Sequence, residues 1–220
     1  MSGYIAGGER YDSADIREEK RMKKQFDQVY QFKITLQDIS PLIWRRIRVP
    51  ASYTFWDLHV AIQDAMGWTD SHLHEFRLKN MKTGRNENIG IPDEDFGSKV
   101  SPGWKKKIAD FFTPANPDAE YIYDFGDNWI HVVSLEEILP RQKGVDYPLC
   151  VEGARACPPE DSGGTHGYED FLNIIMDPSH DEHDSMLEWA GGEFQPEHFD
   201  CLEVIFEDPA ERLENLEEDF

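Results

Sequence analysis

The sequence is poor in basic residues, with 22 Lys and Arg against 44 Asp and Glu and a net charge of −22. Such an excess of negative charge repels a phosphate backbone, so we expect no direct binding of nucleic acid. After residue 166, 18 acidic residues accompany one basic residue, Arg212. This distribution predicts a solvated acidic face and tail or, alternatively, a docking surface for a basic protein partner. We expect the basic group Arg45, Arg46 and Arg48 to pair with carboxylates of this acidic segment.

Cysteines and long apolar runs are also scarce. The three cysteines, Cys150, Cys157 and Cys201, are too few, and odd in number, for a framework of disulfides. No apolar run approaches the roughly 20 residues of a membrane span, and residues 1–11 lack the apolar stretch of a signal peptide. We therefore expect a cytoplasmic protein. Aromatic residues are plentiful, with 13 Phe, 8 Tyr and 6 Trp, and they can build a core.

The apolar pattern of the first half predicts the order β-β-α-β. Residues 30–39 alternate between apolar and polar side chains, residues 43–49 form a second strand, and residues 72–79 form a third. Between the second and third strands, Thr54 is expected to cap a helix, and Gly67 is expected to end it. A helix packed on one face of a small sheet is the simplest arrangement of these elements.

The second half adds a hairpin and several helices. Residues 121–124 and 129–135 read as strands around a turn at residues 125–128, where Gly and Asn tolerate positive φ. We therefore predict an α+β fold with a mixed sheet of about five strands, one packed helix and a helical, acidic C-terminal part. The predicted division is a flexible or helical N-terminal extension, one domain and an acidic C-terminal tail: residues 1–28, 29–206 and 207–220.

Several short motifs occur in an order that resembles a known family. They are ISPLIWRRI at residues 39–47, MGW at 66–68, HLHEF at 72–76, YIYDFGDNW at 121–129 and CPPED at 157–161. Over about residues 29–206, the chain resembles the plasmid pRiA4b ORF-3-like family, which is also described as a passenger protein of insertion elements. The family is functionally uncharacterised. The resemblance implies an accessory role associated with mobile elements, and we take a non-enzymatic interaction protein as the first hypothesis.

A set of histidines and one aspartate forms the first candidate site. His72 and His74 are two apart in a predicted strand and should point to one face. If residues 125–128 form the loop, Asp124 and His131 are diagonal neighbours on one face of the hairpin. Imidazole and carboxylate suit a divalent metal such as zinc. A metal-binding protein or metal-dependent hydrolase is therefore the alternative hypothesis. The competing interpretation is that these side chains only hydrogen-bond on the sheet.

A second candidate metal site combines Cys150, Cys157, His180 and His183. The cysteines are seven apart, unlike the closely spaced pairs of zinc knuckles, whereas the two histidines could share one face of a helix start. Capping of that helix is the competing interpretation. The sequence assigns no catalytic residue and no cofactor beyond such a metal. Whether the protein is an enzyme, and its substrate, partner and oligomeric state, are left open by the sequence.

Overall fold

A computed structural model of the protein describes residues 26–92 and 100–218. Within these residues the chain forms one mixed sheet in the order β5-β4-β3-β6-β7-β1-β2-β8. Neighbouring strands are antiparallel, except for the parallel pair β4 and β5. The strands are β1 (Gln28–Leu36), β2 (Trp44–Pro50), β3 (His74–Lys79), β4 (Asn86–Gly90), β5 (Val100–Pro102), β6 (Asp118–Tyr123), β7 (Trp129–Pro140) and β8 (Leu149–Ala154).

The fold is α+β, as predicted, but the expected sheet of about five strands is too small, because the described residues form eight. The sequence analysis missed β4, β5 and β8. All three lie at or next to an edge of the sheet, within segments that read as polar or Pro/Gly-rich connections. Short edge strands pair mainly through their backbone and show little apolar alternation, so the sequence carries no clear signal for them.

The helix α1 (Phe55–Met66) lies under the sheet, and its ends are those that the sequence predicts. The Thr54 hydroxyl accepts a hydrogen bond from the Asp57 amide, and the Asp57 carboxylate accepts one from the Thr54 amide. Gly67 ends the helix with φ +96°. One face of α1 packs into the main core, and Trp56 and Val60 form a second apolar cluster on another face. Because it is covered on both sides, α1 can carry a histidine that is fully buried.

Three further helices follow the sheet: α2 (Gly164–Ile175), α3 (His183–Trp189) and α4 (Pro209–Glu218). The helix α4 belongs to the predicted acidic tail, and its Leu213 packs against the apolar cluster of Trp56 and Val60. Residues 1–25, which make up most of the predicted N-terminal extension, lie outside the described residues. None of the helices in the described part of the chain combines the length and apolarity that a membrane span needs.

Two details of strand placement differ from the prediction and change the candidate site. The third strand begins at His74 rather than His72, so the two histidines do not share one strand. In the β6–β7 hairpin, Tyr121 lies opposite His131, whereas a loop of residues 125–128 would place Ile122 there. The register differs by one because Asp124 leaves the strand with φ +55° and becomes part of the turn.

Candidate functional site

The segment between α1 and β3 carries Asp70, His72 and His74 at alternate positions. They do not point to one face, because the backbone bends at His72. Asp70 and His74 lie with His59 of α1, and we call these three residues the buried cluster. His72 lies with Asp124 and Asp161, and we call these three the rim cluster.

The buried cluster joins the helix to the sheet. The imidazole rings of His59 and His74 are stacked, with centroids 3.4 Å apart and planes inclined by 7°. Both side chains are inaccessible to solvent, with residue exposures of 0% for His59 and 2% for His74. One donor atom from each of His59, Asp70 and His74 can be chosen so that all three lie within 4.8 Å of one another.

Hydrogen bonds hold His59 and Asp70 in place. His59 Nε2 is 2.6 Å from Asp70 Oδ1, and His59 Nδ1 is 2.8 Å from the Tyr121 hydroxyl. Gln63 donates to the same hydroxyl at 2.9 Å and accepts from the Asp70 amide at 3.1 Å. Because Tyr121 accepts from Gln63, its own proton is free to go to His59 Nδ1, and His59 Nε2–H then donates to Asp70.

His74 has no such network. Both of its ring nitrogens are buried and lack a hydrogen-bond partner among the described residues. Burial, with the adjacent His59 as a second cause, holds the pKa of His74 well below its usual value, so the ring is neutral. A buried polar atom without a partner costs about 1–3 kcal/mol, and such atoms are rare in native proteins. His74 therefore has unused donor and acceptor capacity beside two groups that could share a ligand with it.

An open cleft of about 510 Å³ lies beside the buried cluster and includes Asp70 in its wall. Trp56 and Trp68 form part of the wall, and Arg212 of α4 reaches it from the C-terminal side. The Arg212 guanidinium donates to Asp64 at 2.7 Å, and one of its nitrogens lies 4.0 Å from Asp70 Oδ2. Asp70 thus contacts His59 on its inner side and faces the cleft on its outer side.

The rim cluster consists of side chains that pair with one another. His72 Nε2 is 3.1 Å from Asp161 Oδ1 and 3.8 Å from Asp124 Oδ2. The Asp161 side chain is 72% exposed. Asp124 begins the β6–β7 turn with φ +55°. Asp161 ends a turn that precedes α2, with φ +56°. The Asp127 carboxylate accepts from the Gly163 amide at 2.9 Å and fastens one turn to the other.

The predicted set of His72, His74, Asp124 and His131 is divided by the structure. His72 and Asp124 come together in the rim cluster, and His74 belongs to the buried cluster. His131 lies in the core, where its Nδ1 is 3.1 Å from the Trp129 carbonyl and its ring meets Trp68 edge-on. Burial lowers the pKa of His131 to about 4. Its Nε2 also lacks a partner among the described residues, but His131 belongs to neither cluster.

The sequence analysis missed His59, Asp70 and Asp161. His59 is flanked by Leu58 and Val60 in a helix whose residues are nearly all buried. A polar residue within such an apolar run was the sequence signal that could have indicated a buried functional side chain. Asp70 and Asp161 lie in turns, where Asp is common for conformational reasons alone. Only the folded chain shows that these two carboxylates face histidines.

The second predicted set remains dispersed over the described residues. Cys150 is buried in β8, where burial raises the pKa of its thiol to about 11, and Cys157 lies in the following loop. His180 accepts from the Glu182 amide at 3.1 Å, and His183 Nδ1 is 2.8 Å from the Asp184 carboxylate, near the start of α3. None of the four belongs to either cluster of closely spaced donor atoms in residues 26–92 and 100–218.

Residues 28–203 match the family described as plasmid pRiA4b ORF-3-like protein. The chain belongs to this family. The resemblance inferred from the order of the motifs is therefore confirmed. The uncharacterized protein y4hQ of Sinorhizobium fredii is 37% identical over 164 residues, which are 74% of this chain and 81% of that relative.

A solved structure is also similar to this chain. It is the crystal structure of the protein of unknown function MM3350 from Methanosarcina mazei Go1, with 48% sequence identity and a TM-score of 0.77. The match covers 83% of this chain and 100% of the other. The two proteins thus share the fold, and a function has to be argued from the side chains.

Proposed function

We propose that the protein binds a divalent transition-metal ion in the buried cluster of His59, Asp70 and His74. The observation that carries the proposal is the state of His74, whose two ring nitrogens are buried without partners beside an imidazole and a carboxylate. A ligand shared by the three groups would satisfy His74 and explain why the chain keeps an imidazole in a position that an apolar ring could fill.

The donor set suits such an ion. Two imidazoles and one carboxylate are typical ligands of Zn²⁺ and Fe²⁺, and three protein ligands leave coordination positions for water or substrate. Ligand atoms at 2.0–2.2 Å from one ion lie at most about 4.4 Å apart. The donor atoms of the three residues lie within 4.8 Å of one another, which is close to this limit, but the two stacked rings have to tilt before both can direct a nitrogen lone pair at one ion. The ion would replace the proton between His59 and Asp70, and the stacked rings would tilt toward it.

The rim cluster supports the same proposal less well. Its His72 Nε2 is buried without a well-formed hydrogen bond, but it lies 3.1 Å from Asp161 Oδ1, and the Asp161 side chain is 72% exposed. A contact with an exposed carboxylate contributes little to stability, so it gives weak support for a bound ligand. His131 has one unpartnered nitrogen but no carboxylate in a shared group of donor atoms. Among the described residues, the buried cluster is favoured because both ring nitrogens of His74 lack a partner, whereas the rim cluster has one such atom, His72 Nε2, which lies 3.1 Å from Asp161 Oδ1.

The open cleft would bring a substrate to the proposed ion. A metal ion with a free coordination position supports hydrolysis by activating a bound water, which is the reaction class that the alternative hypothesis named. The cleft of about 510 Å³ beside Asp70 has the size of a small-molecule site. We therefore infer metal-assisted hydrolysis of a small substrate as the function that follows if the ion is bound.

Titration of metal-free protein with Co²⁺ tests the proposal, because the visible spectrum of Co²⁺ reports its ligands. We expect one ion per chain for the wild type and for His198→Gln, a control whose side chain is 52% exposed. We expect loss of this ion in His74→Gln and in Asp70→Asn, which keep side-chain size. Circular dichroism would establish that each variant is folded. A folded His74→Gln that binds Co²⁺ with wild-type affinity and spectrum would contradict the proposal.

A second candidate is a non-enzymatic interaction or accessory role with a basic protein partner, as the family resemblance implies for mobile elements. It is supported by exposed apolar side chains in the acidic region. Leu202 is 88% exposed and Ile205 is 80% exposed, and Met176 and Trp189 are also accessible. Exposed apolar side chains among carboxylates are a feature of surfaces that bind basic, partly apolar partners.

A pull-down from host cells followed by calorimetry with the purified partner tests this second candidate. We expect a basic partner whose affinity falls with added salt and falls further in Leu202→Ser and Trp189→Ser. Met81→Ser is the matched control. Met81 is an exposed apolar residue in the β3–β4 turn, outside the acidic region. Equal affinity for Leu202→Ser, Trp189→Ser and Met81→Ser would exclude the acidic region as the binding surface.

A further inference from the structure

The C-terminal segment forms one wall of the cleft beside the buried cluster. Residues 205–215, which we call the gate segment, face α1 and the turn that follows it. The residues that the gate segment contributes to the cleft are Ile205, Glu207, Arg212 and Asn215. Access from solvent to Asp70 through this cleft is therefore bounded by the gate segment.

A few specific contacts attach the gate segment to α1. The Glu207 amide donates to Asp64 Oδ2 at 3.0 Å, and the Trp56 indole donates to the Pro209 carbonyl at 2.8 Å. Arg212 donates to the other oxygen of Asp64 at 2.7 Å. Leu213 supplies an apolar contact with the cluster of Trp56 and Val60. Phe206 also packs against the main core, and the rest of the segment is attached through these side-chain contacts rather than by strand pairing. We therefore expect it to open at a lower free energy than the sheet.

Arg212 is placed where a metal ion would compete with it. Its Nη1 is buried, has no hydrogen-bond partner among the described residues, and lies 4.0 Å from Asp70 Oδ2. The guanidinium is thus close to the proposed carboxylate ligand without completing a hydrogen bond to it. Two cations near one carboxylate repel each other, and the repulsion is stronger in a partly buried site than in water.

The gate segment lies beyond the matched family region. The match ends at residue 203, whereas His59, Asp70 and His74 all lie within it. The residues of the buried cluster therefore lie within the matched family region, and residues 205–215 lie outside it.

We propose that the gate segment controls entry of the ion to the buried cluster, with Arg212 as the cation beside Asp70 while no ion is bound. This inference rests on the proposed metal site. For a divalent ion to reach Asp70, the Arg212 guanidinium withdraws, and the segment that carries it moves away from α1. Entry and release of the ion are then limited by this movement.

Stopped-flow measurement of Zn²⁺ entry and of its removal by a chelator tests the gate. The full chain would be compared with Arg212→Met, which keeps the aliphatic stem, and with Glu214→Gln, an exposed control on α4. We expect both rates to rise roughly tenfold or more in Arg212→Met, because the repulsion and the anchor to Asp64 are both removed. Glu214→Gln should keep the wild-type rates.

The outcomes separate the gate from the metal site. Stoichiometric Zn²⁺ binding with equal rates in the wild type and Arg212→Met would overturn the gate and leave the proposed function intact. The absence of Zn²⁺ binding in all three proteins would overturn both. Hydrogen exchange provides a second readout, since amides of residues 209–215 should exchange faster in the Zn²⁺-loaded wild type than in the metal-free protein.

Discussion

Asp70 and His74 belong to the buried cluster, whereas His72, which lies between them in the sequence, belongs to the rim cluster. Both clusters combine imidazole with carboxylate, and they differ in their access to water. At the rim, His72 Nε2 lies 3.1 Å from the carboxylate of Asp161, and that carboxylate is 72% exposed, so only one buried nitrogen depends on this contact. In the interior, the unpartnered nitrogens of His74 carry a free-energy cost, which makes a missing ligand the simplest explanation.

The largest expected difference between the clusters concerns their aspartates. Asp70→Ala removes the carboxylate that accepts from buried His59 and places Ala at φ +61°, so we expect a loss of roughly 3 kcal/mol in the free energy of unfolding. Asp161→Ala carries a similar backbone strain at φ +56° and removes only an exposed ion pair, so we expect about 1 kcal/mol. Urea unfolding measures both, and equal losses would remove the distinction.

Stabilisation by metal sharpens the comparison. At a free Zn²⁺ concentration 100 times the dissociation constant, the free energy of unfolding of the wild type should rise by about 2.7 kcal/mol. The same rise is expected in His72→Gln, which alters only the rim cluster, and no rise is expected in His74→Gln. Thermal or urea unfolding with and without Zn²⁺ gives the values. If Zn²⁺ raised the free energy of unfolding of His74→Gln but not that of His72→Gln, the metal site would be in the rim cluster instead.

Acid should destabilise the interior through its neutral imidazoles. The pKa of His131 falls from 6.5 when unfolded to about 4 when folded, so the unfolded chain binds more protons between these values. The stabilisation is therefore complete above pH 6.5 and is lost as the pH falls, by about 2 kcal/mol between pH 7 and pH 5. Urea unfolding of metal-free protein at both pH values should show this loss, and His131→Gln should reduce it. An unchanged pH dependence in His131→Gln would contradict the assignment.

The smallest effect is expected for the rim ion pair itself. A double-mutant cycle with His72→Gln and Asp161→Asn should give a coupling energy of at most about 0.5 kcal/mol, because Asp161 is exposed. The cycle is read from urea unfolding of the wild type, the two single variants and the double variant. A coupling energy above about 2 kcal/mol would show that the rim is as constrained as the interior.

The sequence was informative where local chemistry determines the structure. The caps of α1 and the β-β-α-β order follow from Thr54, Gly67 and the apolar spacing, and the order of the motifs identified the family. The predicted pairing of Arg46 with C-terminal carboxylates was wrong, because Arg46 contacts Glu136 and Glu152 of the sheet. Long side chains pair with whatever the strand order places beside them, and β8, which carries Glu152, had no sequence signal.

The candidate site could be predicted only in part for the same reason. His72, His74 and Asp124 were singled out, but the bend at His72 and the position of Asp124 within the turn decide which residues meet. These features depend on single backbone conformations, such as φ +55° at Asp124, that the residue pattern does not specify. The stacking of His59 on His74 depends on how α1 lies across β3, which is a tertiary contact.

Anomalous diffraction from crystals of the zinc-loaded protein tests the central claim most directly. At the zinc absorption edge, we expect one peak per chain between His59, Asp70 and His74, with both imidazoles as ligands. A peak between His72, Asp124 and Asp161 with none in the interior would contradict the proposed site. The absence of a peak at both clusters in zinc-loaded crystals would contradict it as well.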